Sequence, residues 1–412
     1  MVHDDVPSVG TTALAFFVAV GSRDEAPAQW GMAHLLEHLL FKGAGAWDNR
    51  AIARQMDRLG ADINAFTTRD YTCFYAKVLD SEAERAYELL RDMLQNPWLR
   101  PEDLAKEKNV VLEEMHESLD DPDEVLDTLV SEALYADPAY THDILGTPES
   151  LAGIDAPGLR AFFERHYHPR AMVFAASGGA VDRLATRVHD DFASGSPGTP
   201  LLPKRRRPPS FSPRRLVRVC DWEQCKLALA VPAPSRYDRR YAAALMMASL
   251  LGGQNTSRLW QRLREDEGLV YTVATHYAPE DDFGDLVTYL GLAPQRMQDA
   301  WDAVHEEMAR LASGGPNEEE LDHTRVTLNT VLVMNQETPD ARVMRLGRYG
   351  LDQRRPPALT ALSGELGRVT VEDVRREAQV WVDGRSTALA AAGPLSGADC
   401  ARMGIVNEEL PS

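Results

Sequence analysis

The stretch EHLLFKGAGAWDNRAIARQMDRLGADINAF, residues 37–66, gives an apolar helix, a glycine-rich loop, an amphipathic helix, a glycine and a β-rich run. The same order returns in SLLGGQNTSRLWQRLREDEGLVYTVATHY, residues 249–277. A second pair of segments, 100–115 and 316–333, is alike in the same way. Such repetition indicates a duplicated fold. The mixture of antiparallel strands and helical pairs predicts the α+β class, with two homologous layered domains, each a mostly antiparallel sheet packed with helices.

The boundary between the two copies is predicted near the middle of the 412-residue chain. The segment SPGTPLLPKRRRPPSFSPRR, residues 196–215, is rich in proline and basic residues and has no helical or strand periodicity. Proline fixes φ and lacks an amide donor, so this composition is typical of a linker. We therefore expect an N-terminal domain at 1–195, a linker at 196–215 and a C-terminal domain at 216–412.

The bulk composition excludes several classes of protein. A net charge of −19 argues against a nucleic-acid partner, because phosphate binding needs a basic surface. There is no apolar run of membrane-spanning length, and the N-terminal MVHDDVPSVG has acids where a secretory signal has bases. The four cysteines are too sparse for a disulfide framework. We expect a cytoplasmic protein that binds neither nucleic acid nor membrane.

The first helix of the N-terminal copy contains the candidate metal motif His34-Leu-Leu-Glu37-His38. Residues four apart lie one turn above each other on a helix, so the two imidazoles can reach one zinc ion. The carboxylate of Glu37 can then lie beside the metal and accept a proton from water. This is the inverted form of the HExxH motif of zinc peptidases.

The C-terminal copy is predicted to lack these ligands. In the alignment of the two copies, the places of His34, Glu37 and His38 are taken by apolar or small residues, namely Leu245, Ala248 and Ser249. Only the N-terminal domain is therefore expected to bind metal.

A third ligand is needed, because a catalytic zinc ion has three protein ligands and one open position. The helix KEKNVVLEEMHESLDD contains Glu107 and Glu114, which are seven residues apart and share one face. Glu113 is rotated away, and we expect it to face solvent. On residue chemistry alone, Glu107 and Glu114 are equal candidates for the third ligand.

These motifs together resemble the pitrilysin/insulinase family of zinc peptidases, which includes mitochondrial processing peptidase. The resemblance extends over nearly the whole chain, through HLLEHLLFKG, GADINAFTTRDYTCFY, EKNVVLEEM, SRLWQRLREDEGLVY and LGRYGL. It implies one Zn²⁺ per chain, held by His34, His38 and Glu114, with Glu37 as the catalytic base. It also implies that Glu107 is not a ligand itself but orients the ligands through contacts with them.

The same resemblance implies further site residues in both copies. Asn64, Ala65 and Phe66 match the family's exposed edge strand, onto which a peptide substrate adds as a β-strand. Arg264 and Tyr271 match an arginine–tyrosine pair that family members place opposite the zinc, where the tyrosine stabilises the developing oxyanion. Without the resemblance, Asn64, Ala65 and Phe66 would be interpreted as part of an ordinary hairpin strand, and an arginine and a tyrosine seven residues apart would indicate no function.

The resemblance also implies how the chain acts. It predicts a zinc endopeptidase that hydrolyses unfolded peptides in an enclosed chamber. At 412 residues the chain has the half-length form of the family, whose members work as pairs. We expect a homodimer, because both the zinc motif and the Arg264/Tyr271 pair are present; a heterodimer with a related chain is the alternative. The rival functions are a non-catalytic subunit and a processing subunit that depends on a partner.

Overall fold

The computed structural model describes residues 1–193, 207–383 and 386–403. Residues 196–206 of the predicted linker therefore lie outside the described residues. The strands run in the order β1 Val2–Asp5, β2 Thr11–Val18, β3 Gly43–Ala44, β4 Trp47–Asp48, β5 Asp62–Thr67, β6 Thr72–Leu79, β7 Met172–Gly178, β8 Arg215–Val219, β9 Cys225–Ala233, β10 Thr272–Pro279, β11 Gly284–Leu292 and β12 Ala388–Gly393.

The α-helices run in the order α1 Met32–Leu40, α2 Asn49–Leu59, α3 Ala83–Gln95, α4 Pro101–Asp120, α5 Pro122–Leu134, α6 Pro138–Thr141, α7 Pro148–Gly153, α8 Ala156–His166, α9 Val181–Ala193, α10 Tyr241–Gly252, α11 Met297–Gly314, α12 Glu318–Met334, α13 Pro339–Leu351, α14 Leu359–Arg368, α15 Val371–Val382 and α16 Gly397–Arg402. A π-helical segment at Trp260–Asp266 follows α10. In the part of the chain that the structure describes, no helix is both long and apolar enough to span a membrane.

The two large sheets have the same topology, which confirms the predicted α+β fold with two homologous layered domains. The first sheet has the strand order β1-β7-β2-β6-β5, and the second has β8-β12-β9-β11-β10. In each sheet one outer pair is parallel, β1 with β7 and β8 with β12, and the other pairs are antiparallel. Two sheets that agree in order and direction at every strand are the structural form of the repeat seen in the sequence.

The chain forms two compact units that are not continuous in sequence. Unit 1 contains residues 1–116, 142–205 and 333–357; unit 2 contains 117–141, 206–332 and 358–412. The predicted boundaries differ from these units because each half of the chain gives one segment to the other unit. Helix α5 packs on β9 and β12 of unit 2, and α13 packs on β2 and β7 of unit 1.

The exchange follows from the need to cover both faces of each sheet. In unit 1, helices α1, α3 and α8 bury one face, and the other face presents small side chains such as Ala13, Ala15 and Ala175 to Val343 of α13. In unit 2, the corresponding face presents alanines to the apolar side of α5. Alternation along a strand predicts that a face is buried, but it does not name the helix that buries it.

Helix α13 approaches its sheet closely because glycines occupy its inner face. A Cβ atom added at Gly347 would lie 1.9 Å from Cε2 of Phe17, and one added at Gly350 would lie 2.8 Å from Cγ1 of Val173. Both glycines belong to the LGRYGL segment, residues 346–351. Their role in the fold is therefore to let a helix contact a strand without an intervening side chain.

We expect the substitution Gly347→Ala to lower the free energy of unfolding of the protein. Overpacking typically costs about 1–3 kcal/mol, against a gain of up to about 1 kcal/mol in helix propensity. The matched control is Gly364→Ala in α14, where the added Cβ would meet only the end of Arg368 at 3.8 Å. Thermal denaturation should give a lower melting temperature for the first variant and an equal or higher one for the second. Equal melting temperatures for both variants would contradict the close packing of α13.

Candidate metal centre

Helix α1, which contains the HxxEH motif, has its N-terminus fixed by a buried carboxylate. Gly31, at φ 87°, turns the chain into the helix. The Oε2 of Glu25 accepts a hydrogen bond from the amide of Gly31 at 2.9 Å, and its Oε1 accepts one from the amide of Ala33 at 2.6 Å. A carboxylate at the N-terminus of a helix accepts hydrogen bonds from amides that have no partner within the helix. Its negative charge also interacts favourably with the helix dipole. His142 lies 3.6 Å from Glu25 Oε2. Glu25 therefore sets where α1 begins, at Met32, two residues before His34.

Three side chains converge between α1 and α4. One donor atom from each of His34, His38 and Glu114 lies within 4.8 Å of the others. The shortest of these separations that is described joins His38 Nε2 to Glu114 Oε1 at 3.6 Å. Donor atoms of a tetrahedral zinc site lie about 3.3 Å apart, since each is about 2.0–2.1 Å from the metal. The cluster is therefore close to the size that a zinc ion requires.

The protonation and bonding of His34 also suit a metal ligand. Burial, together with the charge of His38, lowers the pKa of His34 to about 4. The imidazole is therefore neutral at neutral pH, as a metal ligand must be. Its Nδ1 is buried and has no hydrogen-bond partner among the described residues. Two imidazoles and a carboxylate are a donor set found in catalytic zinc sites, so these residues fit zinc.

The two glutamates of α4 lie on different sides of the His38 ring. Glu107 Oε2 is 3.3 Å from Nδ1 of His38, whereas Glu114 faces Nε2. The other oxygen of Glu107 is 2.8 Å from Nζ of Lys42. Glu107 is buried and is outside the three-residue cluster. The two residues that spacing alone could not separate thus have distinct surroundings. Glu113 is exposed, as expected.

Glu37 lies on the same helix with its carboxylate withdrawn from solvent. The side chain is 8% exposed, and its Oε2 accepts a hydrogen bond from Oγ1 of Thr67 at 2.5 Å. Burial raises the pKa of Glu37, while the Thr67 hydrogen bond and the charge of His38 act in the opposite direction. A carboxylate with a raised pKa is better suited to accept and return a proton near neutral pH.

The residues Asn64, Ala65 and Phe66 lie on strand β5, which is the last strand in the order of the first sheet. Among the described residues, β5 pairs with a single neighbouring strand, β6. The amide of Ala65 donates a hydrogen bond to Oδ1 of Asn64 at 2.9 Å. That amide therefore points away from the sheet and is covered by a side chain that could rotate aside.

Arg264 and Tyr271 belong to unit 2, a different compact unit from that of the metal cluster. Arg264 lies on the π-helical segment, with its guanidinium carbon 4.2 Å from the centroid of the Trp260 ring. Tyr271 is 54% exposed and directly precedes strand β10, the counterpart of β5. Both side chains are exposed at the surface of the unit, and neither is part of its core.

Sequence reasoning missed three residues that surround the motif. Lys42 could have been found, because it lies close to His38 in sequence, in the turn that follows α1. Glu25 precedes α1 by too many residues for a capping pattern to reveal it. Thr67 follows the predicted edge strand directly, but no local pattern connects a threonine to a glutamate thirty residues earlier.

Comparison with known proteins gives a family for this fold and site. Residues 1–148 match the family described as Insulinase (Peptidase family M16), and residues 153–328 match the Peptidase M16 inactive domain. The chain is 32% identical over 374 residues to the uncharacterized zinc protease YmxG of Bacillus subtilis, covering 91% of each chain. It is 31% identical over 410 residues to an uncharacterized zinc protease of Streptomyces coelicolor, covering 98% of this chain and 89% of the relative.

Solved structures share the fold over nearly the whole chain. A protease from Helicobacter pylori superimposes with a TM-score of 0.86 at 20% identity, covering 95% of this chain and 96% of that chain. A peptidase M16 inactive domain from Pseudomonas fluorescens superimposes with a TM-score of 0.86 at 23% identity, covering 96% and 95%. With relatives above 30% identity along most of its length, the chain belongs to the insulinase family of peptidases, family M16, and is a zinc metallopeptidase.

Proposed function

We propose that the chain is an endopeptidase that hydrolyses unfolded peptides, with one zinc ion per chain held by His34, His38 and Glu114. The observation that carries this proposal is the convergence of three donor atoms within 4.8 Å of one another, beside the buried carboxylate of Glu37. Glu107 orients His38 through Nδ1, and Lys42 fixes Glu107 in turn. Such outer partners set the orientation and basicity of a ligand.

The chain's own residues carry the proton transfers. Zinc bound in the cluster would polarise the scissile carbonyl and acidify the attacking water. Glu37 accepts a proton from that water as the oxygen bonds to the carbonyl carbon. It then gives the proton to the amide nitrogen as the carbon–nitrogen bond breaks. Burial raises the pKa of Glu37 toward the neutral range, where one group can both accept and release a proton.

The substrate is proposed to add to the free edge of β5 along Asn64, Ala65 and Phe66. Because β5 ends its sheet, an extended peptide can pair with its outward amides, including that of Ala65 once Asn64 rotates aside. Main-chain pairing accepts many sequences, and only an unfolded segment offers free main-chain groups. The family resemblance adds an enclosed chamber, which would admit unfolded chains and exclude folded ones.

The active species is proposed to be a homodimer in which each site uses two chains. Arg264 and Tyr271 would be supplied by the second chain, where Tyr271 donates a hydrogen bond to the negative charge on the carbonyl oxygen. Arg264 would position the main chain of the substrate. Both side chains are exposed on unit 2, as donors to a substrate must be. An isologous dimer would hold two such sites.

The proposal is tested by purifying the chain alone and measuring its metal content and its action on peptides. We expect about one zinc per chain and internal cleavage of unstructured basic and neutral peptides, with folded proteins left intact. A chelator should abolish cleavage, and added zinc should restore it. Cleavage that survives complete removal of metal, or bound zinc without cleavage of any unfolded peptide, would contradict the proposed function.

The assigned roles of the two α4 glutamates predict different effects on metal binding. Glu114→Gln should lose most of the bound zinc, because it removes a charged ligand. Glu107→Gln should weaken zinc affinity by roughly 10–100-fold, as substitutions of residues that hydrogen-bond to a metal ligand do. Titration with a competing chelator measures both affinities.

The matched control for this pair is Glu113→Gln, on the same helix but exposed to solvent. Its zinc affinity should equal that of the wild type. If Glu107→Gln lost its zinc and Glu114→Gln only bound it more weakly, the roles of the two glutamates would have to be exchanged.

A further inference from the structure

The carboxylate of Glu37, on α1, accepts a hydrogen bond from a residue of strand β5. Thr67 is the last residue of β5, and its Oγ1 donates a hydrogen bond to Glu37 Oε2 at 2.5 Å. Thr67 is partly buried and Glu37 is buried, so little water competes for this contact. The contact joins α1 to the edge strand directly after Phe66.

The backbone around Thr67 is firmly placed. Thr67 pairs with Thr72 of β6, and Oγ1 of the fully buried Thr72 donates a hydrogen bond to the carbonyl of Val20 at 3.0 Å. After Thr67, the turn is closed by Thr68, whose amide donates to the carbonyl of Tyr71 at 2.9 Å. The hydroxyl of Thr67 therefore reaches Glu37 from a hairpin whose position is fixed on both sides.

A hydrogen bond to one oxygen has a defined effect on a catalytic carboxylate. An ionised carboxylate only accepts hydrogen bonds, and it has two oxygens with which to do so. With Oε2 bonded to Thr67, rotation of the carboxylate is restricted and Oε1 is left to accept the proton of the attacking water. General bases require this kind of placement within hydrogen-bonding reach of the proton.

We propose that Thr67 is a positioning residue of the peptidase reaction and acts through Glu37. Its hydroxyl proton stays on Oγ1 throughout, while Oε1 of Glu37 receives the proton of water and later gives it to the leaving amide nitrogen. Since Thr67 continues the strand proposed to bind substrate, one strand sets both the peptide backbone and the base that acts on it. This inference rests on the proposed roles of Glu37 and β5.

The test compares Thr67→Val, which keeps the branched shape without the hydroxyl, with Thr67→Ser, which keeps the hydroxyl. We expect Thr67→Val to lower kcat by about 10–100-fold, because small misplacement of a reacting group has effects of this size. KM and zinc content should stay within about twofold of wild type, and Thr67→Ser should retain most of kcat. A purely structural role would not separate kcat from KM or be rescued by serine.

The matched control is Thr12→Val, the same substitution at a fully buried threonine on β2, whose Oγ1 donates a hydrogen bond to Oδ1 of Asp80 at 2.6 Å. It removes a hydrogen bond elsewhere in the same sheet, so it should lower the melting temperature while kcat below that temperature stays near wild type. An unchanged kcat in Thr67→Val, an equal fall in Thr67→Ser, or loss of zinc in Thr67→Val would each overturn the proposed role of Thr67. A wild-type chain with zinc but no peptidase activity would instead overturn the proposed function.

Discussion

Replacing Glu37 with glutamine is expected to abolish peptide cleavage while zinc remains bound. The substitution keeps the size of the side chain and leaves His34, His38 and Glu114 in place. An amide cannot accept the proton of the attacking water, and general bases contribute about 10²–10⁴-fold to a rate. We therefore expect kcat/KM to fall by at least that factor, with metal analysis still giving the wild-type zinc content.

The control for this variant is His34→Gln, which removes a ligand and should lose both zinc and activity. Only the combination of full zinc and no activity separates a base from a ligand. If Glu37→Gln lost its zinc as His34→Gln does, Glu37 would itself be a ligand, and the assignment of the base would be wrong.

The Glu37→Gln variant also tests, through its stability, whether the charge of Glu37 is buried. Because burial raises the pKa of Glu37, this group stabilises the fold below its unfolded pKa near 4.5, and that stabilisation is lost as pH rises through the folded pKa. In metal-free protein, Glu37→Gln should therefore be more stable than wild type at pH 8, and the difference should shrink as pH falls toward 4.5. A constant difference in melting temperature across this range would mean that the Glu37 charge is not buried.

Much of the fold could be predicted because the duplication leaves a local signature. Residues 37–66 and 249–277 show the same order of helix, glycine and strand, and the two sheets have the same strand order and directions. What could not be predicted is the exchange of α5 and α13 between the units. Each helix has an apolar side, but periodicity does not specify which sheet that side will cover.

The metal motif could be predicted because its residues are close in sequence. The spacing of His34 and His38 places both on one helical face, and no tertiary information is needed. The choice of Glu107 or Glu114 as the third metal ligand, by contrast, cannot be made from local spacing. Seven-residue spacing gives both the same face of α4, and only the tertiary position of the His38 ring puts them on opposite nitrogens.

Contacts between distant segments set the limit of prediction at the site. Glu25 fixes the start of α1 through the amides of Gly31 and Ala33, and Thr67 holds Glu37 from another strand. In both cases the local sequence pattern of one segment does not predict its contact with the other segment. Glu25 is one of 63 acidic residues and Thr67 is an ordinary hydroxyl side chain, so residue type does not distinguish them either.

Mixing two inactive variants is expected to restore activity if each site uses two chains. One variant is Glu37→Gln, which keeps Arg264 and Tyr271; the other is the double substitution Arg264→Ala/Tyr271→Phe, which keeps the zinc site. After random exchange about half of the dimers contain one chain of each kind. In such a dimer, one of the two sites combines the intact zinc cluster of one chain with the intact pair of the other. Activity should therefore recover to about a quarter of the wild-type value.

The activity of the mixture depends on whether Arg264 and Tyr271 act in the site of their own chain or in that of the other chain. If Arg264 and Tyr271 completed the site of their own chain, every site in a mixed dimer would contain one lesion, and mixing would restore nothing. Mass spectrometry of the mixture shows whether chains have exchanged, so a failure to exchange is not mistaken for a negative result. Full exchange without recovery would remove the two-chain site and leave the assignment of His34, His38 and Glu114 intact. Recovery near a quarter would require that unit 2 of one chain act on peptide bound at unit 1 of another.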